Sequence, residues 1–224
     1  MRWNFGHSPD MAQSFRDRED AGEQLAHALS THTIDNPVVY ALPRGGLPVA
    51  NIVARSFNAP LEIILVRKLG APGRPELAIG AIVDGASPIF ILHNDIVQTL
   101  GVTKDYIQNV KTAALAEIER RRKLYLKDRP ALSPKGREVI VVDDGLATGA
   151  TMEAAIQALR EAGASRIVAA VPVAPSDTLL SIQKIADDVV CLHTPTPFFS
   201  VGDYYRSFPQ LTDADVIDTL HRRP

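Results

Sequence analysis

Apolar residues recur along this chain with two periods, and the changes between them mark its elements. Residues 17–30 place Ala21, Leu25, Ala28 and Leu29 on one face, which predicts a helix. Residues 37–42 read as a strand, and Val49, Ile52, Val53 and Phe57 mark a second helix after it. Residues 61–66 predict another strand. Residues 69–78, rich in Gly and Pro, predict a long loop. Two short strands, 79–83 and 88–92, flank a turn at Asp84-Gly85. Residues 103–127 form a long polar helical pattern. Four β-branched apolar residues, 139–142, predict a buried strand, followed by a helix over 151–162 with Gly163 as its stop. Strands over 166–171 and 188–192 complete the pattern. Alternation of this kind predicts an α/β fold with a mainly parallel central sheet flanked by helices on both faces. Ligands of such sheets bind beyond the carboxyl ends of the strands.

Candidate chemistry collects at three predicted strand ends. After strand 139–142 come Asp143 and Asp144, then the small, hydroxyl-bearing run Ala147-Thr148-Gly149-Ala150-Thr151 at a helix start. A helix start exposes unpaired N–H groups and the positive end of its dipole, so it favours an anion. Ionised carboxylates only accept hydrogen bonds, so the two acids suit sugar hydroxyls or a hydrated cation and not the same phosphate. Adjacent strand residues point to opposite faces, so both acids reach one ligand only if the strand has ended. An acid and a Thr at this place also serve as an ordinary helix N-cap. Arg44-Gly45-Gly46 follows strand 37–42. It fits either a phosphate-binding loop or a turn that merely needs glycine. Arg67 and Lys68 end strand 61–66, where two cations can meet a polyanion or face water.

The run 139–151 resembles the phosphoribosyl-pyrophosphate (PRPP) motif of the type I phosphoribosyltransferases over 13 consecutive positions. Gly145 departs from it, standing where a branched apolar residue is usual. The resemblance implies that Asp143 and Asp144 contact the ribose hydroxyls and that Ala147, Thr148, Gly149, Ala150 and Thr151 cradle the 5′-phosphate. It implies pyrophosphate binding by Arg44, Gly45 and Gly46, and by Arg67 and Lys68, with Lys68 sharing a catalytic role with the two acids. The segment after Lys68 looks like the family's flexible loop, with Arg74 and Glu76 as its candidate contacts. Implied further are Mg²⁺ as cofactor, a core of about 37–192, and a hood from residues 1–36 and 193–224, all within one domain spanning 1–224. The implied reaction is pentosyl transfer from PRPP to a nitrogenous acceptor, a nucleobase, with release of pyrophosphate, within nucleotide metabolism. Phe198, Phe199 and Tyr204 can stack on a planar base or close the core, and Val201-Gly202 resembles a purine-side segment too briefly to select a purine.

Composition narrows the alternatives. The 224 residues are 46% hydrophobic and 22% charged with a formal net charge of −2, so no large basic face for nucleic acid is expected. No apolar run approaches the roughly 20 residues that span a membrane, and no secretory h-region opens the chain. A single cysteine, Cys191, excludes an intrachain disulfide; it reads as a small core residue and fits a cytoplasmic setting. Within 103–127, Glu117 with Arg121 and Glu119 with Lys123 form i,i+4 pairs, which suits a solvated helix face; a homodimer contact there stays open. Two other classes remain: a PRPP-sensing regulatory protein, and an enzyme acting on another ribose phosphate.

Overall fold

The structure, a computed structural model, describes residues 14–85, 88–127 and 129–221. The expected hood segments therefore lie partly outside the described residues, at 1–13 and 222–224.

Five parallel strands form the central sheet: β1 (Val38–Ala41), β2 (Leu61–Ile63), β6 (Glu138–Val142), β7 (Arg166–Val173) and β8 (Asp188–His193), in the order β2-β1-β6-β7-β8. Alternate residues of each strand serve opposite cores. Val39, Ala41, Ile140, Val142, Val168 and Ala170 pack with α1 (Arg18–Leu29), α2 (Gly46–Ser56) and α4 (Lys104–Leu126). Val38, Tyr40, Val139, Val141, Ile167 and Ala169 pack with α5 (Ala150–Glu161) and α6 (Ser176–Ile182). Burial on both faces explains why these strands are continuous apolar runs.

The helices form where the spacing predicts them. Asp17 caps α1, its side chain accepting from the Asp20 N–H, and Thr103 caps α4 in the same way. Along α4, Ala114, Ile118, Tyr125 and Leu126 face inward. The outward face carries the expected Glu117–Arg121 and Glu119–Lys123 pairs. Hydrogen bonds from Arg120 and Arg121 hold the Glu117 carboxyl down to about 2. No described helix is long and apolar enough to cross a membrane.

Two expectations are corrected. The strand expected over 61–66 breaks after Ile63, and Val66 opens a second sheet. That sheet is antiparallel, β3 (Val66–Ala71), β4 (Arg74–Val83) and β5 (Ile89–Leu92). Arg67 and Lys68 thus lie within β3 and do not end a core strand. The loop expected over 69–78 is the β3–β4 hairpin, turning at Pro72-Gly73 with Gly73 at φ +68°. Gly and Pro here make a two-residue turn and leave the flanking residues to pair. Short helices α3 (Asn94–Thr99), α6 and α7 (Asp213–His221) were not expected, nor was the 3₁₀ turn Val201–Tyr204.

The hairpin is testable at its tip. Replacing Gly73 with Ala forces a Cβ into the left-handed region and should cost about 1–2 kcal/mol in urea denaturation. An unchanged midpoint would favour a mobile loop over the turn.

Candidate functional site

The chain order and the spatial order of strands diverge between β1 and β6. β1 leads by α2 to β2 on one side, and β6 leads by α5 to β7 on the other. Their carboxyl ends are neighbours: Ala41 pairs with Val142, and the Leu42 N–H donates to the Val142 carbonyl at 2.9 Å. The loops leaving these two ends turn apart, and ligands of open α/β sheets bind in a crevice at such a point. Residues 43–46 form one lip and 143–149 the other.

The two lips touch. A Cβ on Gly45 would lie 2.1 Å from Asp144 Oδ2, and one on Gly46 would lie 2.7 Å from the Asp143 Cα. Only glycine lets the Arg44 loop approach the acids this closely. The Pro43–Arg44 peptide bond is cis. Beyond the acids, Gly149 at φ +75° caps α5 without any side-chain hydrogen bond, and its carbonyl accepts from Glu153. The first N–H groups of α5 are thus left without a side-chain partner at the cap, as an anion site requires. Thr148 is exposed and Thr151 half-buried; Ala147 is exposed, its carbonyl accepting from the Thr178 hydroxyl at 2.8 Å.

β6 ends at Val142, so the acids escape the opposite-face rule of a strand. They differ in environment. Asp144 is buried at 9% exposure, its Oδ2 accepting from Arg18 Nε at 2.8 Å and its carbonyl from the Tyr205 hydroxyl at 2.6 Å. Asp143 Oδ1 accepts the Asp144 N–H at 2.9 Å. Burial, and after it the Asp144 charge, push the Asp143 carboxyl well above the usual carboxylate range. Arg44 is also committed: its Nη1 lies 3.6 Å from Asp213 Oδ1 at the start of α7. Asp213 also takes the Tyr125 hydroxyl at 2.5 Å, and burial with this acceptor pushes that phenol up to about 12.

Of the residues singled out from the sequence, the structure brings Arg44, Gly45 and Gly46 against Asp143 and Asp144, with the loop Ala147–Thr151 leading on into α5. Arg67 and Lys68 are exposed on β3, and Arg74 and Glu76 are exposed on β4. Among the described residues no group of three or more His, Cys, Asp or Glu is arranged to hold a metal. Phe198 and Tyr204 stack on each other with centroids 5.7 Å apart, which occupies one face of each, while Phe199 is 75% exposed. Cys191 is partly buried and donates to the His193 carbonyl at 3.2 Å; burial pushes its thiol up to about 11, so little of it is thiolate at neutral pH.

Arg18, Asp213, Tyr125 and Tyr205 were missed. Arg18 had a signal: it stands three and seven residues before Ala21 and Leu25, on the apolar stripe of α1. Gly145 also finds its explanation. A Cβ there would lie 2.5 Å from Val201 Cγ1, so the 3₁₀ turn supplies from afar the apolar group that residue 145 lacks.

Gly145→Val should therefore destabilise the protein by about 1–3 kcal/mol through overpacking, and Val201→Ala in that background should recover part of the loss, the remainder staying with the Val173 Cγ1 contact at 3.0 Å and the φ of +159°. Additive losses would separate the two positions. Asp143 gives a pH test. Its folded pKa exceeds its unfolded one, so from about pH 4 upward the unfolded chain binds fewer protons and stability falls as pH rises. Asp143→Asn should raise the melting temperature at pH 7, with the gain fading below about pH 4 where both states are protonated. A variant melting no higher than wild type at pH 7 contradicts this.

Comparison with known proteins is consistent with this geometry. The family model for the phosphoribosyl transferase domain matches residues 13–206. The provisionally named phosphoribosyl transferase Rv0571c of Mycobacterium tuberculosis H37Rv is 44% identical over 208 residues, covering 93% of this chain and 46% of that protein. Its counterpart in strain CDC 1551 matches equally. The chain thus spans about half the length of these curated relatives. The crystal structure of TT1426 from Thermus thermophilus superposes with a TM-score of 0.79 at 40% identity, covering 92% of this chain and 97% of that one. The chain therefore belongs to the phosphoribosyl transferase family.

Proposed function

We propose that this protein transfers the 5-phosphoribosyl group of PRPP to a nitrogenous base and releases pyrophosphate. One observation carries the reading: the acid pair, the Arg44-Gly45-Gly46 loop and the uncapped start of α5 meet at one crevice. These are the groups needed to hold a sugar, a pyrophosphate and a phosphate in line. The α5 start with Thr148 and Thr151 takes the 5′-phosphate, as an anion at a helix N-terminus. Asp143 and Asp144 accept from ribose hydroxyls. Gly45 and Gly46 give a pyrophosphate close access to backbone N–H groups, and the Arg44 guanidinium neutralises it, as do Arg67 and Lys68 when the β3–β4 hairpin meets the substrate. Arg74 and Glu76 on the same hairpin are its outer contacts.

Catalysis by such a site is positioning plus charge stabilisation. The C1–O bond to pyrophosphate breaks, the ribose gains oxocarbenium character, and the acceptor nitrogen attacks C1. Acids beneath the ring favour the positive charge; cations at the loop favour the departing negative charge. Mg²⁺ fits the donor set, because it is commonly held by one or two carboxylates and by substrate oxygens. When bound it neutralises pyrophosphate. The acceptor lies on the side of Val201 and Phe199, within a hood formed by the chain ends over a core of about 37–192. The reading implies a cytoplasmic protein with small-molecule partners.

The test is direct. Purified protein with PRPP and Mg²⁺ should release pyrophosphate with at least one member of a panel of purines, pyrimidines and pyridine carboxylates. Lys68→Ala should slow that turnover about 10²-fold, as for loss of one electrostatic stabiliser. Protein that neither binds PRPP nor releases pyrophosphate with any base would overturn the reading.

A further inference from the structure

Arg18 lies in the first turn of α1, 126 positions from the acid it touches, and is 8% exposed. Its guanidinium spans three groups. Nε donates to Asp144 Oδ2 at 2.8 Å, Nη1 donates to the Pro209 carbonyl at 2.9 Å, and Cζ stands 3.8 Å above the centroid of the Phe208 ring. The segments on either side are joined as well. The Phe15 N–H donates to the Tyr204 carbonyl, the Arg206 and Ser207 N–H groups donate to the Phe15 and Arg16 carbonyls, and the Tyr205 hydroxyl donates to the Asp144 carbonyl. Residues 15–18 and 204–209 are thus one unit, and Arg18 fastens it to the acid against which Gly45 also packs.

Resting on the phosphoribosyl reading, we propose that Arg18 is a positioning residue for PRPP. By engaging Oδ2 it fixes the Asp144 carboxylate so that Oδ1 faces a ribose hydroxyl, and it ties that geometry to the 204–209 segment of the hood.

Geometry selects arginine for this. A planar fork donates in two directions at once and still stacks on an aromatic ring; an ammonium at the end of a flexible stem is a point donor. Lysine at position 18 can pair with Asp144 or reach the Pro209 carbonyl, and not both with the same alignment. Arg18 also differs from Arg44, which lies across the crevice, is more exposed, and is paired with Asp213 at a longer 3.6 Å.

Calorimetric titration of Mg²⁺-PRPP, and separately of inorganic pyrophosphate, into wild type, Arg18→Met, Arg18→Lys, Asp144→Asn and the Arg18→Met/Asp144→Asn pair tests the proposal. Arg18→Met should weaken PRPP binding about tenfold or more, about 1.4 kcal/mol. It should leave pyrophosphate affinity within about twofold, a split that general loss of structure does not produce. The double variant should bind PRPP no worse than the weaker single variant, because Arg18 acts through Asp144. Should Arg18→Met fail to fold, Arg18→Lys carries the test, with PRPP affinity reduced at least about threefold and pyrophosphate affinity retained. Wild-type protein that binds no PRPP overturns the phosphoribosyl reading itself. Wild-type binding together with unchanged affinity in the Arg18 variants, equal losses for both ligands, or additive losses in the double variant overturns the role of Arg18 alone.

Discussion

A carboxylate withdrawn from water is tolerated only where a cation and hydrogen-bond donors take the place of solvent. Asp144 imposes that requirement at the divergence of β1 and β6, and much of the surrounding structure answers it. Residue 45 must lack a side chain, because the carboxylate fills the space a Cβ would take. The first turn of α1 must turn a guanidinium inward, against the usual preference of arginine for the surface. Phe208 and Pro209 must then arrive from the far end of the chain to cover that guanidinium. One buried charge thereby connects three stretches that are remote in sequence.

The sheet places this charge. Parallel strands bring all their carboxyl ends to one edge, and the order β2-β1-β6-β7-β8 makes the loops from β1 and β6 turn away from each other. The smaller antiparallel sheet, β3 to β5, presents Arg67, Lys68, Arg74 and Glu76 on a paired hairpin. Arg67, Lys68 and Arg74 sit on the paired part of its ladder, and Glu76 lies in the irregular stretch between Arg74 and Ala78.

Local signals in the sequence were legible and long-range ones were not. The run 139–142 is apolar because both faces of β6 are covered, and 151–162 keeps helical spacing because only one face of α5 is covered. The acids, the Arg44 loop and the α5 start were readable for the same reason: each is a short string whose chemistry is complete in itself. The β3–β4 hairpin was misread because Pro72 and Gly73 set a turn of two residues, while the density of Gly and Pro around them suggested a loop of ten. Helix α3 buries no residue at all, and α6 buries only Leu179 and Ile182, too few to set a period. Tyr125 and Asp213 meet across 88 positions, so no window of sequence could pair them. Arg18 was visible in principle, as a charged residue on an apolar stripe, which calls for a buried partner.

Gly145 and Val201 belong to different loops, yet they fill a single volume: the valine methyl occupies the place where a side chain at 145 would stand. The motif around the acids therefore looks imperfect when read alone and is complete when read with a residue from the other end of the chain. Each position sets what the other can hold, so drift at either site is constrained by a neighbour that no linear alignment window contains. The packed unit at this spot is a pair of residues from two loops, and neither can be understood from its own stretch of chain alone.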